Sequence, residues 1–242
     1  MVTIESIDAR IAERHLLTHP FYQAWTAGTL PREALLDYAG QYYAFESILP
    51  GLLKSLAARV ESPAAREALL ANARDEEHGE SNHPELWLRF GEALGLERSQ
   101  ILGARLHATT QALVDTYREA AEVAPAAGGV AALYAYESQL PAVAEAKIAG
   151  LRAHFGFDAF DALDARRRGL AFFEVHRTID VHHAAEERRI VEAACEGAGT
   201  GEAASAAGDW TARALEAWWN FLSGVYPAGE GVTLMSRTAS LN

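Results

Sequence analysis

The stretch His176-Arg-Thr-Ile-Asp180-Val-His-His183 sets two imidazoles and a carboxylate four, three and seven positions apart, a spacing that returns to one side of a helix. Long side chains on such a stripe can converge on one point and hold a metal ion. Two other segments offer the same chemistry. One is Asp75-Glu76-Glu77-His78-Gly-Glu80-Ser-Asn-His83, and the other is Glu137 within the apolar run Val130-Ala-Ala-Leu-Tyr-Ala-Tyr136-Glu137-Ser-Gln-Leu140. Together they supply six nitrogen and oxygen ligands. A set without thiolates suits iron or manganese, and a dinuclear carboxylate-bridged centre better than structural zinc.

Glu137 carries particular weight. Its neighbours are apolar and aromatic, and a buried carboxylate without a partner costs several kcal/mol or takes up a proton. A cation removes that difficulty. His78 and His182 fall off the ligand faces and read as surface or supporting residues. Glu80 is a weaker alternative to Glu76. Glu46, after Tyr42-Tyr43-Ala-Phe45, is one more candidate buried carboxylate, with no other feature to support it.

The elements that must position these residues are helices. Alanine, leucine, glutamate and arginine dominate, and apolar residues recur at three and four positions over long windows. The patterning predicts helices near 4–18, from Pro31 to about Val60 with a bend at Pro50-Gly51, and from Ser62-Pro63 to about Gly79. Further helices are expected at about 97–122, 127–153, 160–195 and 210–225. Pro84 predicts a break or restart that puts Glu76 and His83 on two segments. The segment Gly197 to Gly208 reads as a loop, with Asp209 capping the last helix. About seven helices without strands make an all-α bundle whose interior can hold the metal site. Residues 1–225 read as a single domain and 226–242 as a loose tail.

Composition narrows the function classes. The 242 residues carry 33 acidic and 21 basic side chains, a formal charge of -12, and no Lys/Arg cluster suited to a phosphate backbone, so nucleic acid is not an expected partner. No basic segment leads into an apolar one at the N-terminus, and no run reaches the length of a membrane span, which points to a soluble cytoplasmic protein. Cys195 is the only cysteine. Intrachain disulfides and Cys-rich metal sites are therefore excluded, and redox chemistry must come from a metal or a side-chain radical.

Several ordered motifs resemble one family. They are His19-Pro20-Phe21-Tyr22 with Trp25; Asp75-Glu76-Glu77 followed by Asn82-His83 and Leu86-Trp87; Gly128-Gly129-Val-Ala-Ala-Leu-Tyr134-Ala-Tyr136-Glu137-Ser138-Gln139-Leu-Pro141; and His176, Asp180 and His183-Ala-Ala-Glu186-Glu187. Over about residues 5 to 225 the chain resembles the CADD family, the Chlamydia protein associating with death domains, within the TenA/PqqC-like superfamily. The resemblance implies a haem-oxygenase-like bundle, a homodimer, and a dinuclear oxygenase with Glu76, His83, Glu137, His176, Asp180 and His183 as metal ligands. The ions would be two irons or a manganese/iron pair, with O2 and an external reductant as co-substrates. It further implies formation of para-aminobenzoate, a folate precursor, by excision of the ring-bearing side chain of one of the protein's own tyrosines. The matching tyrosine is Tyr22, and the matching amino-group donor is Lys147.

Physical requirements follow. Tyr22 must lie close to the metals, in a dry interior that limits escape of radicals. Lys147 must be neutral to give up nitrogen, which burial favours. A straight helix would separate Glu137 from Lys147 by about 15 Å, so the chain must bend near Pro141 for the lysine to approach. Packed-core aromatic and snorkelling lysine are the plainer readings of Tyr22 and Lys147. The main competing function is an oxidase of the same fold that acts repeatedly on an external amine or fatty acid through an apolar tunnel. Thiamine hydrolysis of the TenA type fits less well, since Cys195 lies away from the ligands, and a cofactorless PqqC-like oxidase would not explain six matched ligands. A non-enzymatic partner-binding protein would not need the ligand set, and nothing in the acidic surface specifies a death-domain partner.

Overall fold

Capping residues and prolines mark most helix boundaries in the computed structural model, which describes residues 2–80, 82–158, 163–196 and 201–226. Thr3 opens α1 (Ile4–Glu13) with a capping box, and a short 3-10 turn follows at Leu16–Thr18. His19 accepts from the backbone of Phe21 and Pro20 fills the first turn of α2 (Pro20–Ala27), which stops at Gly28 in the left-handed conformation. Then come α3 (Arg32–Glu46) and α4 (Leu49–Ala57), and Ser62 caps α5 (Pro63–Glu77). Asn82 caps α6 (His83–Ala93), with Pro84 in its first turn. The remaining helices are α7 (Arg98–Leu102), α8 (Ala108–Glu122), α9 (Ala126–Glu137), α10 (Leu140–His154), α11 (Leu163–Glu196) and α12 (Gly201–Val225).

The all-α expectation holds, and no strand occurs among the described residues. The expected count of about seven helices is too low, because α2 and α6 fall between the expected spans and the windows to Val60, 97–122 and 127–153 are each broken in two. The window to Val60 breaks at Ser47-Ile48, a few residues before the expected bend, with Pro50 in the first turn of α4. The window 127–153 breaks at Ser138-Gln139, with Pro141 in the first turn of α10. The loop expected from Gly197 to Gly208 is also corrected. Residues 197–200 lie outside the described set, and α12 is already helical at Gly201, so Asp209 is an interior helical residue rather than a cap. The alanines of that stretch favour helix. Ala204, Ala206 and Ala207 are buried, and Gly208 lets Val2 pack close. The expected tail, Tyr226 apart, lies outside the described residues.

Buried apolar side chains from α1 to α12 form one contiguous cluster. Within it α9 is buried from Gly128 to Glu137 without an exposed face. Gly128 makes room for the Trp210 ring, and Gly129 for the backbone of Ala120. The long α11 lies against α5, α6, α9, α10 and α12, so one stripe of it faces several helices at once. No described helix is long and apolar enough to cross a membrane.

Candidate metal centre

Four helices bring one ligand-type atom each to a common point: Glu46 ends α3, Glu76 lies in the last turn of α5, His83 begins α6 and His176 comes from α11. These atoms all lie within 4.8 Å of one another. The break between α5 and α6 makes this possible, since it turns His83 back towards Glu76, with Nδ1 and Oε2 2.6 Å apart. That pair is misaligned for a hydrogen bond, and neither atom has another partner. His176 donates from Nδ1 to the carbonyl of Phe172 at 2.7 Å, which leaves Nε2 as the nitrogen it can present. Burial pushes the Glu46 and Glu76 carboxyls well above the usual range, and pushes both imidazoles down.

A second group joins Glu137, at the end of α9, with Asp180 and His183 of α11. His183 Nδ1 lies 3.5 Å from Asp180 Oδ1 and 3.8 Å from Glu137 Oε2. Its other nitrogen, Nε2, faces Asp75 Oδ2 at 3.1 Å. The Asn72 amide donates to both oxygens of Glu137, at 3.2 and 2.9 Å, and fixes the plane of that carboxylate. Asp180 and Glu137 are also raised by burial, and His183 offsets part of the rise at Glu137. All six sequence-expected ligand residues are thus buried and gathered in two adjoining groups, with Glu46 in the first. His78, Glu80 and His182 are exposed.

Seven buried carboxylates and imidazoles crowd together, and several of their polar atoms lack partners. Both oxygens of Glu46, Glu76 Oε2, His83 Nδ1, Asp180 Oδ2 and His183 Nδ1 accept or donate no hydrogen bond. Orphaned polar atoms of this kind are rare in folded proteins and call for an explanation such as an ion. The donor set, nitrogen and carboxylate oxygen with no sulfur, fits iron or manganese.

An aromatic chamber adjoins the first group. Tyr22, on α2, is buried, and its hydroxyl lies 3.4 Å from that of Tyr38. Lys147 enters from α10, which is free to turn because the chain breaks after Glu137. Its Nζ donates to Tyr38 Oη at 2.7 Å and lies 5.5 Å from the centre of the Tyr22 ring. Tyr38, Tyr42, Trp87 and Phe173 complete the enclosure, each with its ring centre between 5.1 and 5.8 Å from the amine. Burial lowers the Lys147 pKa to about 7, with the Glu46 carboxylate opposing, and raises that of the Tyr22 phenol. The phenol of Tyr42 shares a very short hydrogen bond with that of Tyr136.

A groove of about 380 Å³ runs between α5 and α11, and Asn72, Asp75, His183 and Glu187 line it. Glu187 is buried, and neither of its oxygens has a hydrogen-bond partner. Sequence reasoning assigned no role to Glu187, Asn72, Asp75 or Tyr38. A signal exists for Glu187, which follows Asp180 and His183 by seven and four positions on the same stripe. Glu46 likewise follows Tyr38 and Tyr42 by eight and four. None exists for Asn72, whose partner Glu137 is distant in the chain.

A family model described as the TENA/THI-4/PQQC family matches residues 5–228. A Chlamydia pneumoniae protein named 4-aminobenzoate synthase is 35% identical over 220 residues, which cover 91% of this chain and 93% of that protein. A Nitrosomonas europaea protein of the same name is 38% identical over 233 residues, covering 92% and 90%. Among solved structures, a TenA homologue from Pseudomonas syringae pv. tomato superposes with a TM-score of 0.78 at 16% identity, over 92% of this chain and 90% of that one. The fold is therefore the haem-oxygenase-like, TenA/PqqC-like helical bundle.

Proposed function

This chain belongs to the TENA/THI-4/PQQC family, and from that premise we propose that it is a metal-dependent 4-aminobenzoate synthase that builds its product from the side chain of its own Tyr22. The observation that carries this reading is the enclosure of Tyr22 and Lys147 in one dry aromatic chamber beside a cluster of buried carboxylates and imidazoles.

The product's formula sets what must happen. 4-Aminobenzoate has seven carbons, the six of a tyrosine ring and Cβ, so the bond between Cα and Cβ breaks, Cβ is oxidised from methylene to carboxylate with dioxygen as the oxidant, the para oxygen leaves as water as nitrogen replaces it, and the Cε–Nζ bond of Lys147 is cut, leaving Cε as an aldehyde. Glu76, His83, His176, Glu137, Asp180 and His183 would hold two ions, two irons or manganese with iron. Once bound and reduced, such a pair supplies the oxidising power of dioxygen next to the ring.

The chain's own residues do the rest. Phe21, Trp25 and Tyr38 pack around the Tyr22 ring and fix its orientation. Burial keeps the phenol protonated, so its oxidation must be accompanied by loss of the proton. Tyr38 Oη, 3.4 Å away, is the hydrogen-bond partner towards which that proton can move. With a pKa of about 7, a large fraction of the Lys147 amine is unprotonated near neutrality and carries the lone pair needed to attack carbon. The ring wall excludes the water that would compete with it.

Metal-free protein incubated with ferrous iron, with and without manganese, then with reductant and air, tests this directly. The expected result is 4-aminobenzoate at no more than one per chain and a loss of intact mass that maps to Tyr22. Repeated oxygen consumption with the protein mass unchanged would replace this reading with an oxidase of an external amine or fatty acid.

A further inference from the structure

Glu46 occupies a place that nothing in its local surroundings justifies. It is completely buried, and neither carboxylate oxygen has a hydrogen-bond partner. It closes α3, and the C-terminal end of a helix disfavours negative charge. Two groups lie close enough to offset its charge, and neither pairs with it: His83 Nδ1 faces Glu76 instead, and Lys147 donates to Tyr38. A carboxylate held this way without compensation costs several kcal/mol. Yet one of its oxygens lies within 4.8 Å of the presented atoms of Glu76, His83 and His176, and the neighbouring Glu76 Oε2 and His83 Nδ1 are equally without partners.

We infer that Glu46 is a seventh metal ligand. It gives the first position two carboxylates and two imidazoles, while the second has Glu137, Asp180 and His183. The two positions are then unequal in donor number. A divalent first-row ion such as Fe2+ or Mn2+ matches the nitrogen and oxygen donors of the first. The assignment rests on the metal-dependent reading above and deepens it. Because Glu46 shares α3 with Tyr38 and Tyr42, it is also the ligand that ties the first ion to the chamber holding Tyr22 and Lys147.

Anaerobic titration of metal-free wild type, Glu46→Gln and Glu137→Gln with Mn2+ followed by electron paramagnetic resonance, and with Co2+ followed by its visible spectrum, tests the inference. Wild type is expected to bind two ions. Glu46→Gln is expected to bind one as wild type does and the other at least about tenfold more weakly, with a changed Co2+ spectrum. Its metal-free form should melt no lower than wild type, since a repelled buried charge is gone, while the rise in melting temperature on adding Mn2+ should be smaller. Glu46→Asp keeps the charge but shortens the reach, and should also weaken one ion. Two ions bound by Glu46→Gln with wild-type affinities and spectrum would overturn the ligand role, and if Glu137→Gln still lost an ion the broader reading would stand. Wild type that takes up no metal would overturn both.

Discussion

His183 and Asp75 meet at 3.1 Å through Nε2 and Oδ2, so the ring's proton lies on the side away from Glu137 and Asp180. A carboxylate can only accept there, so Nδ1 keeps its lone pair for the interior. Asp75, on α5, thereby sets the tautomer of a residue on α11. The groove between those helices leaves Asp75 nearly half exposed, and the residue is no part of the core.

Asp75→Ala should therefore leave the fold stable and weaken metal binding at the position formed by Glu137, Asp180 and His183, by about 10- to 100-fold. Asp75→Asn retains an acceptor oxygen and should weaken it less. Competitive Mn2+ titration of the two variants orders them; equal affinities in wild type and Asp75→Ala would show that the hydrogen bond does not matter.

Tyr22→Phe removes only a hydroxyl whose hydrogen-bond partner is Tyr38, at 3.4 Å. Its stability should fall by no more than about 1 kcal/mol. Bound metal should stay nearly unchanged while 4-aminobenzoate disappears. A normal product yield from this variant would end the self-sacrifice mechanism.

Lys147 makes a pH-dependent contribution whose sign is opposite to that of a lysine whose pKa an ion pair has raised. The groups facing the amine are Tyr22 from α2, Tyr38, Tyr42 and Glu46 from α3, and His176 from α11, with Trp87 and Phe173 as uncharged walls. Burial lowers the folded-state pKa to about 7, against 10.5 for an unburied lysine. Between these values the unfolded chain binds the extra proton, so stability rises with pH across that window. The penalty for burying the amine is full below about pH 7 and gone above about 10.5. In metal-free protein, Lys147→Met should raise the melting temperature most below about pH 7 and least near about pH 10. A gain that does not shrink with rising pH would contradict the lowered pKa.

Gly129 permits the crossing of α8 and α9. A Cβ there would lie 2.5 Å from the carbonyl oxygen of Ala120, a backbone atom that cannot swing aside. Gly129→Ala should cost about 1–3 kcal/mol, read as a lower denaturation midpoint. Because α9 ends in Glu137, metal affinity should fall with it.

Chelation should destabilise the loaded protein. The buried carboxylates and imidazoles regain their mutual repulsion once the cations leave, and each site loses about 2.7 kcal/mol of linkage at a free-ion level about 100 times its Kd. Calorimetry before and after chelator, with Mn2+ added back, measures the effect. Identical melting curves would exclude a tightly bound metal.

Local spacing determined a good deal on its own. The apolar periodicity specifies helices because a 3.6-residue repeat buries one stripe and exposes the other, and Pro84 marks the break that puts Glu76 and His83 on separate helices. The same rule sets His176, Asp180 and His183 on one face of α11. Spacing misled where composition resembled a loop: Gly201 and Gly208 lie in α12, because alanines between them favour helix and Gly208 fits close packing against Val2. Only the tertiary structure decided which faces meet. Asn72 reaches Glu137 across distant parts of the chain, Glu46 joins Glu76, and the break at Ser138-Gln139 turns Lys147 towards Tyr38 and Tyr22. A sequence repeat states which residues share a side of one helix, whereas convergence depends on where helices break and at what angle they cross, and these are set by packing among side chains far apart in the chain.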